Sequence, residues 1–298
     1  MKIKITLLIA TVLLTFCSRY EEKGEPKYID EINQWHNKRE EGLKKERGWL
    51  NLAGLYWLKE GENSFGSAAG NDLIFPKGKI NDHAGVFILD SGKVFVKINP
   101  DITILNNGKM IKEMELKPDD EDSSSLRHAS LVWFIIKRGD RFGVRLRDLK
   151  NNNLFSFEGV ERYPVNSDWK IEAKFSPYNP TKKISVPNIL GTIEEEISPG
   201  NLSFEIEGEK YSLDVLEGGE DSYFVIFADK TSGEDTYGGG RFLSVPKPDS
   251  SGKTYIDFNK SYNPPCVFSQ YATCPLPPKR NHLPVEITAG EKMYGKGH

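Results

Sequence analysis

Apolar residues in this chain come in short parcels. Runs rich in β-branched and aromatic residues, at 131–137, 141–146, 154–157, 169–175, 183–186, 202–206, 210–215 and 223–228, are mostly bounded by Gly, Pro, Asn or Asp. Runs of that length favour pleated, half-buried strands, and the breakers between them favour turns. Glu207-Gly208, between two such runs, has the form of a hairpin turn. No helical crossover of the kind that joins parallel strands separates them. The chain is therefore expected to be all-β and antiparallel. Its sixteen Phe, twelve Tyr and five Trp are enough for a sizeable core.

Residues 26–47 depart from that pattern and predict one helix. Pro26 suits a first turn, Ile29, Ile32, Trp35 and Leu43 fall roughly on one stripe, and Gly48 ends it. His36 lies beside the stripe, a place more typical of a packing or capping residue than of a ligand. Residues 49–58 are apolar on both faces and predict a strand buried on both sides.

The beginning of the sequence carries an address. Met1-Lys-Ile-Lys4 is basic, twelve apolar residues follow, and Cys17 comes at once. That is the pattern of a secretory signal peptide, with an apolar run too short to span a bilayer. The cysteine after Leu14-Thr15-Phe16 resembles a bacterial lipoprotein box, in which it becomes the lipidated first residue; Phe16 departs from the small residue usual there. Residues 1–17 are thus expected to be a lipoprotein signal and 18–25 a flexible tether. The expected location is the bacterial cell envelope, on the periplasmic or outer-membrane side, held to the membrane by the lipid. Export argues against ATP and nicotinamide cofactors, and no Walker loop or dinucleotide fingerprint is present. Forty basic against forty-three acidic residues argue against a nucleic-acid partner. No cofactor is expected.

Residues 58–115 resemble a forkhead-associated domain, a β-sandwich. The carriers are Phe65-Gly66, Asn71-Asp-Leu-Ile74, His83-Ala84 and Asn107-Gly108. The phosphothreonine-binding residues of that family are missing, since Ser67 stands at the arginine position and Ile80 at the serine position. The resemblance therefore implies the fold over 48–117, not phosphopeptide binding, and His83 reads as a structural residue bonding a turn. Residues 117–125 are acidic and polar, and predict a hinge. The second, larger antiparallel sandwich or barrel module is expected to span 126–298, ending in a Pro-rich tail.

The second module resembles the bacterial family called domain of unknown function 1684. The residues concerned are Gly143-Val-Arg-Leu-Arg-Asp148, Arg162-Tyr-Pro164, Val186-Pro-Asn-Ile-Leu-Gly191, Thr236-Tyr-Gly-Gly-Gly-Arg241, Asp257-Phe-Asn259, Tyr262-Asn-Pro-Pro-Cys266 and Thr273-Cys-Pro-Leu-Pro-Pro278. Gly48-Trp-Leu-Asn-Leu-Ala-Gly-Leu-Tyr-Trp57 also fits it. The resemblance implies a fold and a location, not a reaction.

Several groups could carry chemistry. Arg145 and Arg147 alternate on one strand and project to one face, where they could grip an acid or pair with Asp148 or Asp257 as a structural ion pair. Tyr237-Gly-Gly-Gly-Arg241 reads as an anion nest or, more simply, a tight corner. Asp257 and Asn259 are expected on one strand face, with Tyr262 close by. They suit a polar pocket, or equally a network that satisfies the backbone of the Pro-rich loop. Cys266 and Cys274 are expected to pair as a disulfide, ahead of free thiols, metal binding or catalysis; no metal site is expected. His128 reads as a turn or surface residue.

The leading expectation is a binding protein for a small polar or acidic ligand. Its pocket would be formed by Arg145, Arg147, Arg241, Asp257, Asn259 and Tyr262, and closed by the tail. The alternatives are an envelope hydrolase using an Asp or His base in that pocket, and a protein–protein scaffold.

Overall fold

The computed structural model describes residues 20–295. The apolar run, Cys17 and His298 lie outside the described residues. Within them the protein is mostly strand, with one long helix, Pro26–Lys44. Pro26 occupies its first turn, and Ile32, His36 and Leu43 are buried along one face. No helix among the described residues is long and apolar enough to cross a membrane.

Two sheets form the first module. One is six-stranded and runs in the order Leu52–Trp57, Arg141–Asp148, Leu131–Arg138, Leu126–His128, Ile104–Asn106 and Lys109–Ile111. The other is five-stranded, in the order Leu73–Ile74, Gly61–Gly66, Gly85–Asp90, Lys93–Ile98 and Glu113–Leu116. A single apolar core joins them, centred on the fully buried Trp133 with Phe65 and Phe75 against it. Gly66 is required where it stands: its φ is +154° and a Cβ would fall 2.2 Å from the carbonyl oxygen of Asp82.

This arrangement moves the module boundary. The segment 126–148 was expected to open the second module. Instead its strands pair with Leu52–Trp57 on one side and Ile104–Asn106 on the other. Leu126, Leu131, Trp133, Ile135, Val144 and Leu146 fill the first core. The expected hinge at 117–125 is an internal connection carrying a short helix, Glu121–Ser124, whose N-cap Asp120 accepts the Ser123 amide at 3.0 Å. The 154–157 strand is also replaced, by a helix at Asn152–Ser156. Asn151 Oδ1 accepts the Asn153 amide at 3.1 Å and starts the turn.

The second module is a six-stranded antiparallel sheet, ordered Arg241–Pro246, Ser222–Phe227, Glu209–Glu217, Ile193–Ile206, Lys170–Pro187 and Lys253–Asp257. Its two edges approach, with Thr254 Oγ1 donating to the Pro246 carbonyl at 2.7 Å, so the sheet is nearly a barrel. The expected strands at 169–175 and 183–186 are one long strand, Lys170–Pro187, with a register shift between Pro177 and Lys182. The irregularity accommodates Pro177 and Pro180, which cannot donate to a ladder. Glu207-Gly208 is the expected tight hairpin turn, with φ of 52° and 85°.

Two smaller apolar clusters tie the modules together. Leu52 packs with Ile184, Val186, Ile226, Phe242, Ala272 and Cys274. Leu43 and Leu50 pack with Phe157, Val160 and Phe268. The tail therefore threads between the modules, and Asn281 pins it to the barrel. The buried Asn281 side chain accepts the Asp214 amide at 2.8 Å and donates to the carbonyls of Asp214 and Ile226.

Candidate functional site

The six residues expected to line one pocket are placed in separate settings. Arg241 is fully buried beneath the barrel. It pairs with Asp229 at 3.3 Å and donates to the carbonyls of Ile287 and Ala289. The Asp229 carboxylate also accepts from Thr231 and from the Ile287 amide. Burial depresses the Arg241 pKa and the Asp229 charge opposes that. Nothing in this setting is open to a ligand. The triple glycine before it is a tight corner: Gly240 has φ +82°, and a Cβ there would lie 2.5 Å from Phe227 O and 2.6 Å from Pro277 Cγ.

Asp257 and Asn259 do meet, though not on a strand face. The strand stops at Asp257, and Phe258–Lys260 is a 3-10 turn whose Asn259 amide donates to Asp257 Oδ1 at 3.2 Å. Asn259 is 2 % exposed. It accepts the Asn166 amide, donates to the Asn166 carbonyl, and reaches Tyr28 Oη. Tyr28 in turn donates to Asp257 at 2.9 Å. The network locks the long helix and the 166–168 turn onto the barrel. The Asn259 carbonyl also meets His36 Nε2 at 3.0 Å, and burial pushes the His36 pKa down to about 4.

Tyr262 stacks with Arg39, whose guanidinium carbon lies 4.7 Å from its ring and 4.5 Å from that of Trp49. Arg39 also pairs with the buried Glu291 at 3.4 Å, and burial raises the Glu291 pKa. Arg147 pairs with Glu121 at 3.3 Å and donates to Gly48 O and Asn51 Oδ1. Two other histidines also serve turns and edges: His83 Nδ1 meets Asn71 Oδ1 at 3.1 Å, and His128 Nδ1 meets Thr103 O at 2.8 Å.

Arg145 differs from the rest. It projects from the same strand face as Arg147 yet has no ion pair among the described residues. Its one side-chain hydrogen bond runs 3.3 Å to Thr273 Oγ1, and its Nε is buried without a partner. Burial, then the like charges of Arg138 and Arg147, bring its pKa down to about 10.

The open site lies beside these clusters. A cleft of about 760 Å³ sits where the first module, the connection that follows it and the tail meet. Its walls come from Leu52 and Ala53 in the first sheet, Pro76 and Lys79, the connection 148–153, and the tail from Cys266 to Tyr271. Lys79 pairs with Asp148, which Ser130 also holds at 2.8 Å. Burial disfavours the Asp148 charge, but Lys79, the Lys150 amide and Ser130 outweigh it and lower its pKa. Lys150 and the side chains of Asn152 and Asn153 remain available at the rim. None of Lys79, Lys150 or the three asparagines stood out in the sequence. They come from distant segments and form no motif; the Asn151-Asn-Asn153 run was the single local signal.

The expected disulfide is not formed: Cys266 and Cys274 are both free. The Cys266 amide donates to Cys274 Sγ at 2.9 Å, so the two residues are nevertheless in contact. Among the described residues no three His, Cys, Asp or Glu side chains gather as metal ligands.

Residues 155–292 match the family described as "Protein of unknown function (DUF1684)", a match that begins just after the first sandwich closes at Asp148. The motifs at 48–57 and 143–148 lie outside it. A comparison with curated proteins finds no match. Among solved structures, the chain is similar to the solution NMR structure of an uncharacterized protein of Haloarcula marismortui. The two are 27 % identical over 47 % of this chain and 80 % of that one, with a TM-score of 0.40.

Proposed function

We propose that the protein is an exported, membrane-tethered binding protein of the cell envelope that takes a small polar or acidic ligand in the cleft between its first β-module and its tail. The observation that carries the reading is the cleft itself. Its volume of about 760 Å³ suits a small molecule, and it is lined by two lysines, Lys79 and Lys150, against one carboxylate, that of Asp148. The surplus positive charge favours an anionic guest, and asparagine side chains supply neutral donors and acceptors. Export and tethering rest on the basic start, the apolar run and Cys17.

The first sandwich is read as forkhead-associated-like. Its division into six and five strands and the enforced glycine at Gly66 support this. The phosphothreonine function is not carried over with the fold. Ser67, at the arginine position, donates to Asp82 at 2.9 Å, and Ile80 is buried in the core.

Calorimetric titration of the protein with small carboxylates, inorganic phosphate, sugar acids and a peptidoglycan fragment tests the reading. At least one should bind saturably. Lys150→Ala, which removes a rim charge without opening a core, should weaken that binding roughly tenfold or more, as for a hydrogen bond to a charged group. If no member of the panel binds, or if Lys150→Ala leaves the affinity unchanged, the cleft is not the binding site.

A further inference from the structure

One of the two thiols lines this cleft. Cys266 lies in the 3-10 turn Pro265–Val267 and contributes directly to the wall. Cys274 lies behind it, 1 % exposed, packed with Leu52, Ile184, Val186 and Ile226. The Cys266 amide touches Cys274 Sγ at 2.9 Å, and Cys266 Sγ lies 3.6 Å from Tyr237 Oη. A molecule in the cleft therefore meets one sulfur, and the second waits within the protein. Half-buried Arg145, bonded to Thr273 next to Cys274, places a positive charge on that side with no carboxylate paired to it among the described residues. The electrostatics agree with this order. The Cys266 pKa is lowered, first by the Cys274 hydrogen bond, whereas burial raises that of Cys274.

We propose that Cys266 and Cys274 form a thiol–disulfide exchange pair that opens on the cleft and acts on a low-molecular-weight disulfide bearing carboxylates. This rests on the cleft reading above and narrows its ligand to that class. In the first step the Cys266 thiolate attacks one sulfur of R–S–S–R. A Cys266–S–S–R bond forms, the substrate S–S bond breaks, and R–S⁻ leaves and is protonated by water. In the second step Cys274 sulfur attacks Cys266 sulfur and its proton passes to the departing second R–S⁻. The protein dithiol is oxidised by two electrons to a disulfide, and the substrate is reduced to two thiols. Lys79 and Lys150 would hold the substrate carboxylates. Exchange is reversible, so a dithiol reductant returns the pair to its free state.

The test uses the full-length protein in a Cys17→Ser background, with oxidised glutathione as the acidic disulfide and hydroxyethyl disulfide as the neutral one. Products are read by intact mass and peptide mapping. The reduced pair should form the Cys266–Cys274 disulfide with both reagents, at least several-fold faster with oxidised glutathione. Lys150→Ala should remove that preference. Cys274→Ser should accumulate the mixed disulfide at Cys266, and Cys266→Ser should react at Cys274 at least tenfold more slowly. Circular dichroism confirms that each variant is folded. If neither reagent oxidises the native pair, or if both single-cysteine variants react equally, the exchange is overturned, while binding of small acids, measured separately, stands. If both reagents react at equal rates, the acidic substrate class is overturned.

Discussion

Two arginines show how differently the barrel and the seam between modules are built. Arg241 lies under the barrel with its charge matched by Asp229 and with backbone carbonyls around its guanidinium. Arg145 lies at the seam with one long bond to a threonine and no carboxylate paired to it among the described residues. The first is a structural knot that closes the tail onto the sheet. The second is a charge held near two thiols and an open cleft. The densest polar motifs of the sequence mark such knots. The open cleft lies beside them, lined by residues that look ordinary one at a time.

The sharpest way to break this contrast is Arg241→Met. It leaves Asp229, 7 % exposed, without its cation. Removing one partner of a buried pair typically costs about 3–5 kcal/mol, because the remaining charge is stranded. A urea titration should show a midpoint shift of that size, at unchanged slope. A loss under about 1 kcal/mol would mean that Arg241 is no more a knot than Arg145.

The His36 network is the next test, by pH. The folded pKa is depressed from 6.5 to about 4, first by burial and then by Arg162, with Arg39 and Lys260 adding to it. Protonation therefore favours the unfolded chain. The penalty is absent above pH 6.5, grows as the pH falls, and is complete near pH 4. A shift of that size corresponds to on the order of 3 kcal/mol. Burial raises the pKa of Glu291, which acts in the opposite sense, so the informative quantity is a difference. His36→Gln should flatten the loss of stability between pH 6.5 and 4 relative to the native protein. Parallel curves would show that His36 does not titrate alone in this window.

Much of the fold was legible because strands and turns are local. The helix from Pro26, the hairpin at Glu207-Gly208 and the antiparallel all-β class follow from residue patterning. The module boundary did not, since the apolar runs at 131–137 and 141–146 show that they are buried but not against which sheet. The continuous strand Lys170–Pro187 was hidden by two prolines that a register shift absorbs. The site was less legible still. Arg241, Asp257 and Asn259 stood out as polar residues, but chemistry alone does not separate a satisfied network from a pocket. The cleft joins residues near 52, 79, 150 and 270, and no spacing rule connects them.

The smallest effect is expected at Arg145, and it carries the most information. Arg145→Met removes a buried charge that has no carboxylate to strand, and the methionine can keep much of the apolar stem's packing. Desolvation already opposes the guanidinium, which is why its pKa falls to about 10. Loss of the Thr273 bond, about 1 kcal/mol, and of the guanidinium's packing opposes relief of that penalty, so the net change is small. Stability measured by urea titration should therefore stay within about 1 kcal/mol of the native value. The Cys274 thiol should become harder to ionise, because the arginine charge lowers its pKa against the effect of burial. A stability loss comparable to that of Arg241→Met would show that Arg145 has a hidden structural partner, and the distinction between knot and seam would fail. A neutral stability change with a shifted thiol titration would place the charge in the service of the cysteines.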